Sequence, residues 1–412
     1  MLQKNDAIIK IRGHHPQELI KKYGSPLYIY DEITLRQNCR KIKEISHLPG
    51  FSIYYSTKAN SSIELLKIIK SEGVKADAMS AGELYLVEKA GYTPQNILFM
   101  SNNLSKDDLS QVVNRGLNIC LDSIDEVESF FKLSPGKDVS IRINNGISDG
   151  HSAKVKTAGK VKFGISPKDI DLAHEIARKS GGGINGFFSH IGSFFLDYDI
   201  FHHNVLNLLS LAEKYPKLKY IDFGGGFGIP YYENQQNEFP MKDYQKIFDK
   251  TLSDWQNKTG HKVNFSIQPG RFVVATSGIC LCRVNSIKEN FGRSFVGTDL
   301  GFNFFPRPML YDGHHQILNS SRDSANPPKI CDVVGNLCES GDILGKQVEL
   351  DRETKVGDIL LLKDAGAYCF SMSSNYIAMP KPAEILIKED GTILPIRERE
   401  TIEDLAKSQL YT

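Results

Sequence analysis

Lys58 ends an apolar run, Ile53-Tyr54-Tyr55-Ser56-Thr57. A lysine closing a buried strand is costly unless it is paired or neutral, and a neutral amine is the form that makes a Schiff base with a carbonyl. The bland alternative is a lysine that snorkels to the rim with its ammonium in water. A second feature, Asp222-Phe223-Gly224-Gly225-Gly226-Phe227-Gly228, also follows an apolar run. Glycines there let backbone N–H groups approach an anion closely, as a phosphate requires. The pattern lacks the Gly-x-Gly-x-x-Gly opening and later acidic residue of a dinucleotide site. Gln268-Pro269-Gly270-Arg271 adds a tight turn with a permanently charged fork.

These groups need elements that bring them together. β-rich runs occur at residues 51–57, 74–80, 96–101, 117–123, 139–145, 184–192, 219–226 and 263–270. Between them lie segments with helical apolar spacing, such as Ile63, Leu66 and Ile69, then Leu84 and Val87. Ser105 before Lys106-Asp107-Asp108, and Ser80-Ala81-Gly82-Glu83, are helix-start signals. Eight strands alternating with helices predict an α/β fold built on a (β/α)8 TIM barrel, with a doubly wound sheet as the alternative. In a barrel, functional groups gather at the C-terminal ends of the strands. Those ends carry Thr57-Lys58, Asp77 and Ser80, Asn102-Asn103, Asp122, Arg142 and Asn144, His190 and Ser193, the Gly224–Gly226 turn, and Gln268 to Arg271.

The rhythm stops after Arg271-Phe272-Val273-Val274-Ala275, where short alternating runs such as 358–362 and 384–388 predict a C-terminal β-rich domain. The expected domains are a barrel over 26–276 and a β-rich domain made of 1–25 and 277–412, with Ala7–Arg12 as a strand added to the latter. A length of 412 residues and 41% hydrophobic composition suit a two-domain globular chain. A net charge of +1 gives no electrostatic reason to expect nucleic acid or a membrane surface as partner. Seven irregularly spaced cysteines and no apolar leader run at the N-terminus point to a reducing cytoplasm. The pairs His14-His15, His202-His203 and His314-His315 point apart on regular backbone, so no metal site is expected.

Taken in order, the motifs resemble those of the fold-type III pyridoxal-phosphate decarboxylases, most closely the branch that acts on diaminopimelate. The resemblance covers residues 26–387 and rests on Tyr55-Ser56-Thr57-Lys58-Ala59-Asn60, Asp77-Ala78-Met79-Ser80-Ala81-Gly82-Glu83, Ser189-His190-Ile191-Gly192-Ser193, the Gly224–Gly226 and Pro-Gly-Arg turns, Arg307-Pro308-Met309-Leu310-Tyr311, Cys338-Glu339-Ser340-Gly341-Asp342 and Gly366-Ala367-Tyr368. It implies an alanine racemase-like barrel with pyridoxal 5'-phosphate joined to Lys58. Asp77 and Gln268 would be further cofactor contacts, and His190 would stack on the ring. Ser193, Gly224, Gly225, Gly226, Gly270, Arg271 and Tyr368 would surround the phosphate. Arg271, Arg307 and Tyr311 would hold the retained carboxylate, with Tyr368 nearby. Cys338 as proton donor and Glu339 as reader of the amino end would come from the second subunit of a homodimer, and Arg142 would neighbour Lys58. The leading expectation is decarboxylation of meso-diaminopimelate to L-lysine. The alternative is a related decarboxylase or epimerase acting on another carboxylated or carrier-linked amino acid, and a silent binding protein is a third reading. Plainer roles are a buried Cys338, a surface Arg307, a core His190 and a packing Tyr368.

The chain also departs from the family pattern. Gln268 stands where glutamate is usual, so no carboxylate faces the pyridine nitrogen and a weaker hold on its proton is expected. Phe194 replaces glutamine, Asn144-Asn145-Gly146 replaces Asn-Pro-Gly, and Thr157-Ala158-Gly159 interrupts a Thr-Gly. Asn336-Leu337 and Ile377, the latter in place of asparagine, are further departures.

Overall fold

Largely buried strands of three to six residues alternate with helices between Ser52 and Ile267. Parallel strands covered by helices on one side and packed inward on the other leave no polar face, which is why they read as continuous apolar runs. The computed structural model describes residues 1–5, 8–150, 157–232, 238–322 and 327–410. Eight parallel strands, Ser52–Ser56, Lys75–Ala78, Ile97–Met100, Asn118–Leu121, Asp138–Arg142, Gly183–Phe188, Tyr220–Asp222 and Asn264–Ile267, form a closed barrel. Each coincides with one of the eight predicted runs, with Asp138–Arg142 and Gly183–Phe188 starting one residue earlier than expected. The barrel closes where Ser266 and Ile267 pair with Ser52 and Ile53. Tyr54, Leu98, Met100, Cys120 and Phe188 form one apolar cluster, with Met79 packed against it.

Local chemistry sets where the loops at the functional rim end. Ser80, Ser105 and Ser123 accept from the backbone N–H of Glu83, Asp108 and Glu126, which starts the helices Ala81–Lys89, Lys106–Val113 and Ile124–Leu133. Each such cap contributes about 1 kcal/mol. Glu83 reaches back to accept from the N–H of Met79 at 2.7 Å, one residue before the cap.

The chain divides into two units, Arg36–Pro230 with Asn237–Val273, and Met1–Leu35 with Tyr231–Gln236 and Val274–Thr412. The second is β-rich. Its main sheet runs in the order Ile343–Leu350, Lys329–Val334, Arg293–Thr298, Gly278–Asn290, Leu27–Asp31, Ala383–Ile387, Ile393–Arg397. A boundary at residue 26 assigns Leu27–Asp31 to the barrel, whereas this strand pairs antiparallel with Gly278–Asn290 and parallel with Ala383–Ile387. All five of its residues are buried, so its apolar character alone cannot say which sheet it joins.

Ile8–Ile11 also differs from expectation. It forms a separate two-stranded ribbon with Leu2–Asn5 rather than extending the main sheet, and Ala7 of the predicted run lies outside the described residues. Ile11 still packs with Ile29, Leu281, Leu361 and Ile385 in the unit's core. Ile359–Leu362 and Ala383–Ile387 are buried at every position instead of alternating. Glu384 is tolerated there because it accepts from the Tyr30 hydroxyl at 2.6 Å and pairs with Arg397. No helix among the described residues is long and apolar enough to cross a membrane.

Candidate active site

Lys58 sits in the short turn Thr57–Ala59 that follows the first barrel strand. Its side chain is 41% exposed, and Nζ lies 3.6 Å from Asp77 Oδ2, whose side chain is 1% exposed. The lysine is therefore paired and open to a reactant, not a fully buried amine. Nζ also lies 3.4 Å from Met79 Sδ. Burial pushes the Asp77 carboxyl up, and Lys58 and a hydrogen bond from Ser56 pull against that shift. Asp77 Oδ1 is buried and takes no hydrogen bond among the described residues.

His190 follows the sixth strand, and its Nδ1 accepts from the N–H of Gly225 at 3.4 Å, a long bond. Desolvation by the surrounding protein, followed by the positive charges of Arg142 and Lys58, drives its pKa well below the ordinary histidine value. Both the burial and an acceptor role for Nδ1 favour the neutral ring. Arg142 was expected beside Lys58. It is bound to Asp122 at 3.4 Å and lies over the rings of Phe163 and Phe188 at 4.4 and 5.5 Å. Its charge reaches the site through His190 and Asp77.

The glycine turn works differently from the sequence expectation. A side chain at Gly225 would put Cβ 1.8 Å from the Gln268 carbonyl, and one at Gly226, whose φ is +113°, would strike the Phe195 ring at 2.3 Å. Gly224 has φ +76° and sits against Ser189 and His190. The glycines are thus required by close packing, and the N–H groups of Gly224 and Gly225 are directed to Asp222 Oδ1 and His190. Other anion donors lie nearby in sequence: Arg271 Nη2 donates to Ser193 Oγ at 3.2 Å, just after the buried Gly270. Phe194, with φ +81°, lies 5.9 Å from the same guanidinium, so this departure from the family pattern places a ring against the arginine. Gln268 is buried, with Nε2 3.6 Å from Met100 Sδ. Burial pushes the neighbouring Asp222 carboxyl up to about 6, with hydrogen bonds from Ser266, Gly224 and Gln268 opposing it.

The segments that carry two other departures, at Asn145 and Ala158, meet in space through the residues beside them. Asn144 Nδ2 donates to the carbonyls of Gly159 and Phe163, both at 2.9 Å, and its Oδ1 accepts from Gly159 N–H at 2.7 Å. Thr157 Oγ1 donates to the His190 carbonyl at 2.9 Å. An asparagine at 144 and a glycine at 159 are matched parts of one loop laid over the sixth strand.

The remaining predicted residues lie in the β-rich unit. Arg307 is 2% exposed, which removes the surface salt-bridge reading. Its Nη1 donates to His315 Nε2 at 2.5 Å, its guanidinium lies 4.4 Å from the Tyr231 ring centre, and His315 Nδ1 donates to the Lys363 carbonyl at 2.7 Å. Tyr311 ends the short helix Arg307–Tyr311, and Tyr368 has φ +58°. Cys338 is exposed, whereas the other six cysteines are buried. Its Sγ lies 3.5 Å from Glu339 Oε1 and 3.9 Å from the Tyr376 hydroxyl, which donates to the same Glu339 oxygen.

His315 and Tyr376 escaped the sequence reading. In sequence the His314-His315 pair reads only as a metal-site candidate, and Tyr376 belongs to none of the motifs. The departure at Ile377 has a backbone consequence: this residue has φ +50° and ψ +33°, a left-handed conformation that asparagine adopts more readily than a β-branched residue. Ile377→Asn is expected to raise stability by about 1 kcal/mol, read as a higher denaturant midpoint at unchanged slope.

Comparison with known proteins agrees with this geometry. A family model described as the pyridoxal-binding domain of pyridoxal-dependent decarboxylases matches residues 34–275. The diaminopimelate decarboxylase of Methanothermobacter thermautotrophicus is 36% identical, covering 97% of this chain and 95% of its own length. That of Archaeoglobus fulgidus is 33% identical over 99% and 98%. Among solved structures, diaminopimelate decarboxylase from M. jannaschii in complex with L-lysine superposes with a TM-score of 0.90 at 29% identity, covering 100% of this chain and 98% of that one. The L-lysine complex of the Helicobacter pylori enzyme gives 0.86 at 30% identity over 95% and 98%.

Proposed function

The chain belongs to the pyridoxal-dependent decarboxylases, and from that premise we propose that it converts meso-diaminopimelate to L-lysine and CO2 with pyridoxal 5'-phosphate bound to Lys58. The observation that carries this reading is the half-exposed Lys58 amine, ion-paired to a buried Asp77 at a barrel-strand end, in a chain 36% identical to a diaminopimelate decarboxylase. The residues present fit the cofactor. They offer an accessible amine, a flat imidazole whose protonation burial disfavours, the Ser193–Arg271 donor pair and an unsatisfied Asp77 Oδ1.

When bound, pyridoxal phosphate accepts the electron pair left on the substrate Cα as CO2 departs. The protein's part is to bind, orient and move protons. Asp77 holds the Lys58 ammonium in place at the strand end. His190 offers a ring face without a competing charge. Ser193 and Arg271 would donate to the phosphate, beside the Gly224–Gly226 and Gly270 turns, with Tyr368 adding a hydroxyl. The planar forks of Arg271 and Arg307, with Tyr311, suit two-point recognition of the carboxylate that is retained. Arg307 is already desolvated and fixed by His315, so little order is lost when it binds an anion. Cys338 delivers a proton to Cα, and Glu339 pairs with the distal ammonium. Both act in the partner's site of a homodimer. Release of CO2 and L-lysine in equal amounts from meso-diaminopimelate tests the reading, and absence of both from cofactor-loaded protein rejects it.

Gln268 gives a test of electronic tuning. A neutral amide supplies no negative charge to hold a proton on the pyridine nitrogen. Gln268→Glu is expected to raise kcat about tenfold and to alter the bound cofactor's absorbance. The cofactor-free variant is expected to be less stable than the parent, because a second buried carboxylate beside Asp222 raises both carboxyl pKa values. Unchanged kcat and absorbance would refute this account of Gln268.

A further inference from the structure

We infer that Tyr376 is a positioning residue that ties down one oxygen of Glu339, leaving the other for the substrate's distal ammonium and shielding the Cys338 thiol from the carboxylate. The inference rests on the proposed roles of Cys338 and Glu339 and deepens them. The Tyr376 hydroxyl donates to Glu339 Oε1, the same oxygen that the Cys338 thiol approaches at 3.5 Å. Glu339 Oε2 is buried and has no hydrogen-bond partner among the described residues. A buried acceptor without a donor is unfavourable, and a cation arriving at Oε2 removes that cost. The two oxygens therefore have separate tasks: Oε1 is structural and Oε2 is the unsatisfied acceptor kept for recognition.

The backbone around Tyr376 is arranged to keep it there. Ile377 and Ala378 have φ of +50° and +56°, consecutive left-handed residues without a glycine. Such conformations persist only where the surroundings over-determine them. Here Asn375 Nδ2 donates to the Met379 carbonyl at 3.0 Å and to Glu400 Oε2 at 2.5 Å, while Lys381 N–H donates to the same Glu400 oxygen at 2.9 Å. The turn is clamped on both sides, and the Tyr376 ring lies 5.5 Å from that of Phe302. A ring held for packing alone has no use for a hydroxyl on a carboxylate.

Tyr376→Phe keeps the ring and removes the hydroxyl. With Oε1 released, the uncompensated carboxylate beside Sγ disfavours the thiolate. Alkylation of Cys338 by iodoacetamide, followed by peptide mass in the intact cofactor-loaded protein, is expected to slow about three- to tenfold at fixed pH. The KM for meso-diaminopimelate is expected to rise about tenfold, as Glu339 loses its fixed orientation. In a Glu339→Gln background the same substitution should leave the alkylation rate unaltered, because the charge it unmasks is gone. Unchanged alkylation and KM in folded Tyr376→Phe would overturn the inference, as would equal slowing in the Glu339→Gln background. The alkylation arm needs no substrate. Slowed alkylation with an unchanged KM would keep the tie between Tyr376 and Glu339 and instead remove Glu339 as reader of the diaminopimelate ammonium.

Discussion

Lys58→Ala is expected to lower turnover of meso-diaminopimelate by at least about a thousandfold, because the amine that forms the covalent link has no substitute. Borohydride reduction of the cofactor-loaded parent followed by peptide mapping should place the label on Lys58. A label on another lysine, or none, would bring down the reading of the whole site. The fold is expected to survive, since the Lys58 side chain is 41% exposed and leaves no core cavity. A stability signature should accompany the lost activity. Burial already pushes the Asp77 carboxyl up, and Lys58 is the largest influence lowering it. Without the lysine, the folded-state pKa of Asp77 rises further above its unfolded value. An ionised Asp77 then costs stability at neutral pH, and this cost fades as the pH falls through the raised pKa and the carboxyl binds a proton. The variant's denaturation midpoint should therefore lie below the parent's at pH 8 and approach it at low pH. A gap that widens on acidification would show that Asp77 is not the group left unpaired.

Replacing Cys338 by alanine should reduce kcat by about a hundredfold, the usual contribution of a positioned proton donor, with a smaller change in KM. Because Cys338 is exposed, this substitution does not disturb the core. The stronger experiment combines the two inactive proteins. If Cys338 serves the partner's site, a mixed dimer of Lys58→Ala and Cys338→Ala subunits contains one site with both defects and one with neither. Random subunit exchange would then restore about a quarter of the parent activity. If mixed dimers form and activity stays absent, Cys338 works within its own subunit and the shared-site assignment is wrong. If Cys338→Ala alone keeps full kcat, its role as proton donor is wrong.

The barrel was legible because its strands are short, centred on apolar residues and spaced by helices, so each run announced itself without knowledge of its neighbours. The strand ends were legible too, since Asp77 lies in the last half of its strand and Lys58, His190 and Gln268 fall within two residues of the end of theirs. The glycine turn was only half legible: glycine says that something comes close, and the packing shows that Ser189, Phe195 and the Gln268 carbonyl do so. The departures at Asn145 and Ala158 look independent in sequence, and the hydrogen bonds between their neighbours Asn144 and Gly159 join the two segments.

What the amino-acid order determined by itself is the set of elements and the chemical groups at their ends, because periodicity, caps and turns act over a few residues. What only the tertiary structure decided is which distant groups share a hydrogen bond. The sheet that receives Leu27–Asp31, the pinning of Arg307 by His315 with Tyr231 alongside, and the tie between Tyr376 and Glu339 are of this kind. Tyr376 and Glu339 lie 37 positions apart, and no local preference encodes their contact. It follows from how the packed unit brings two turns together.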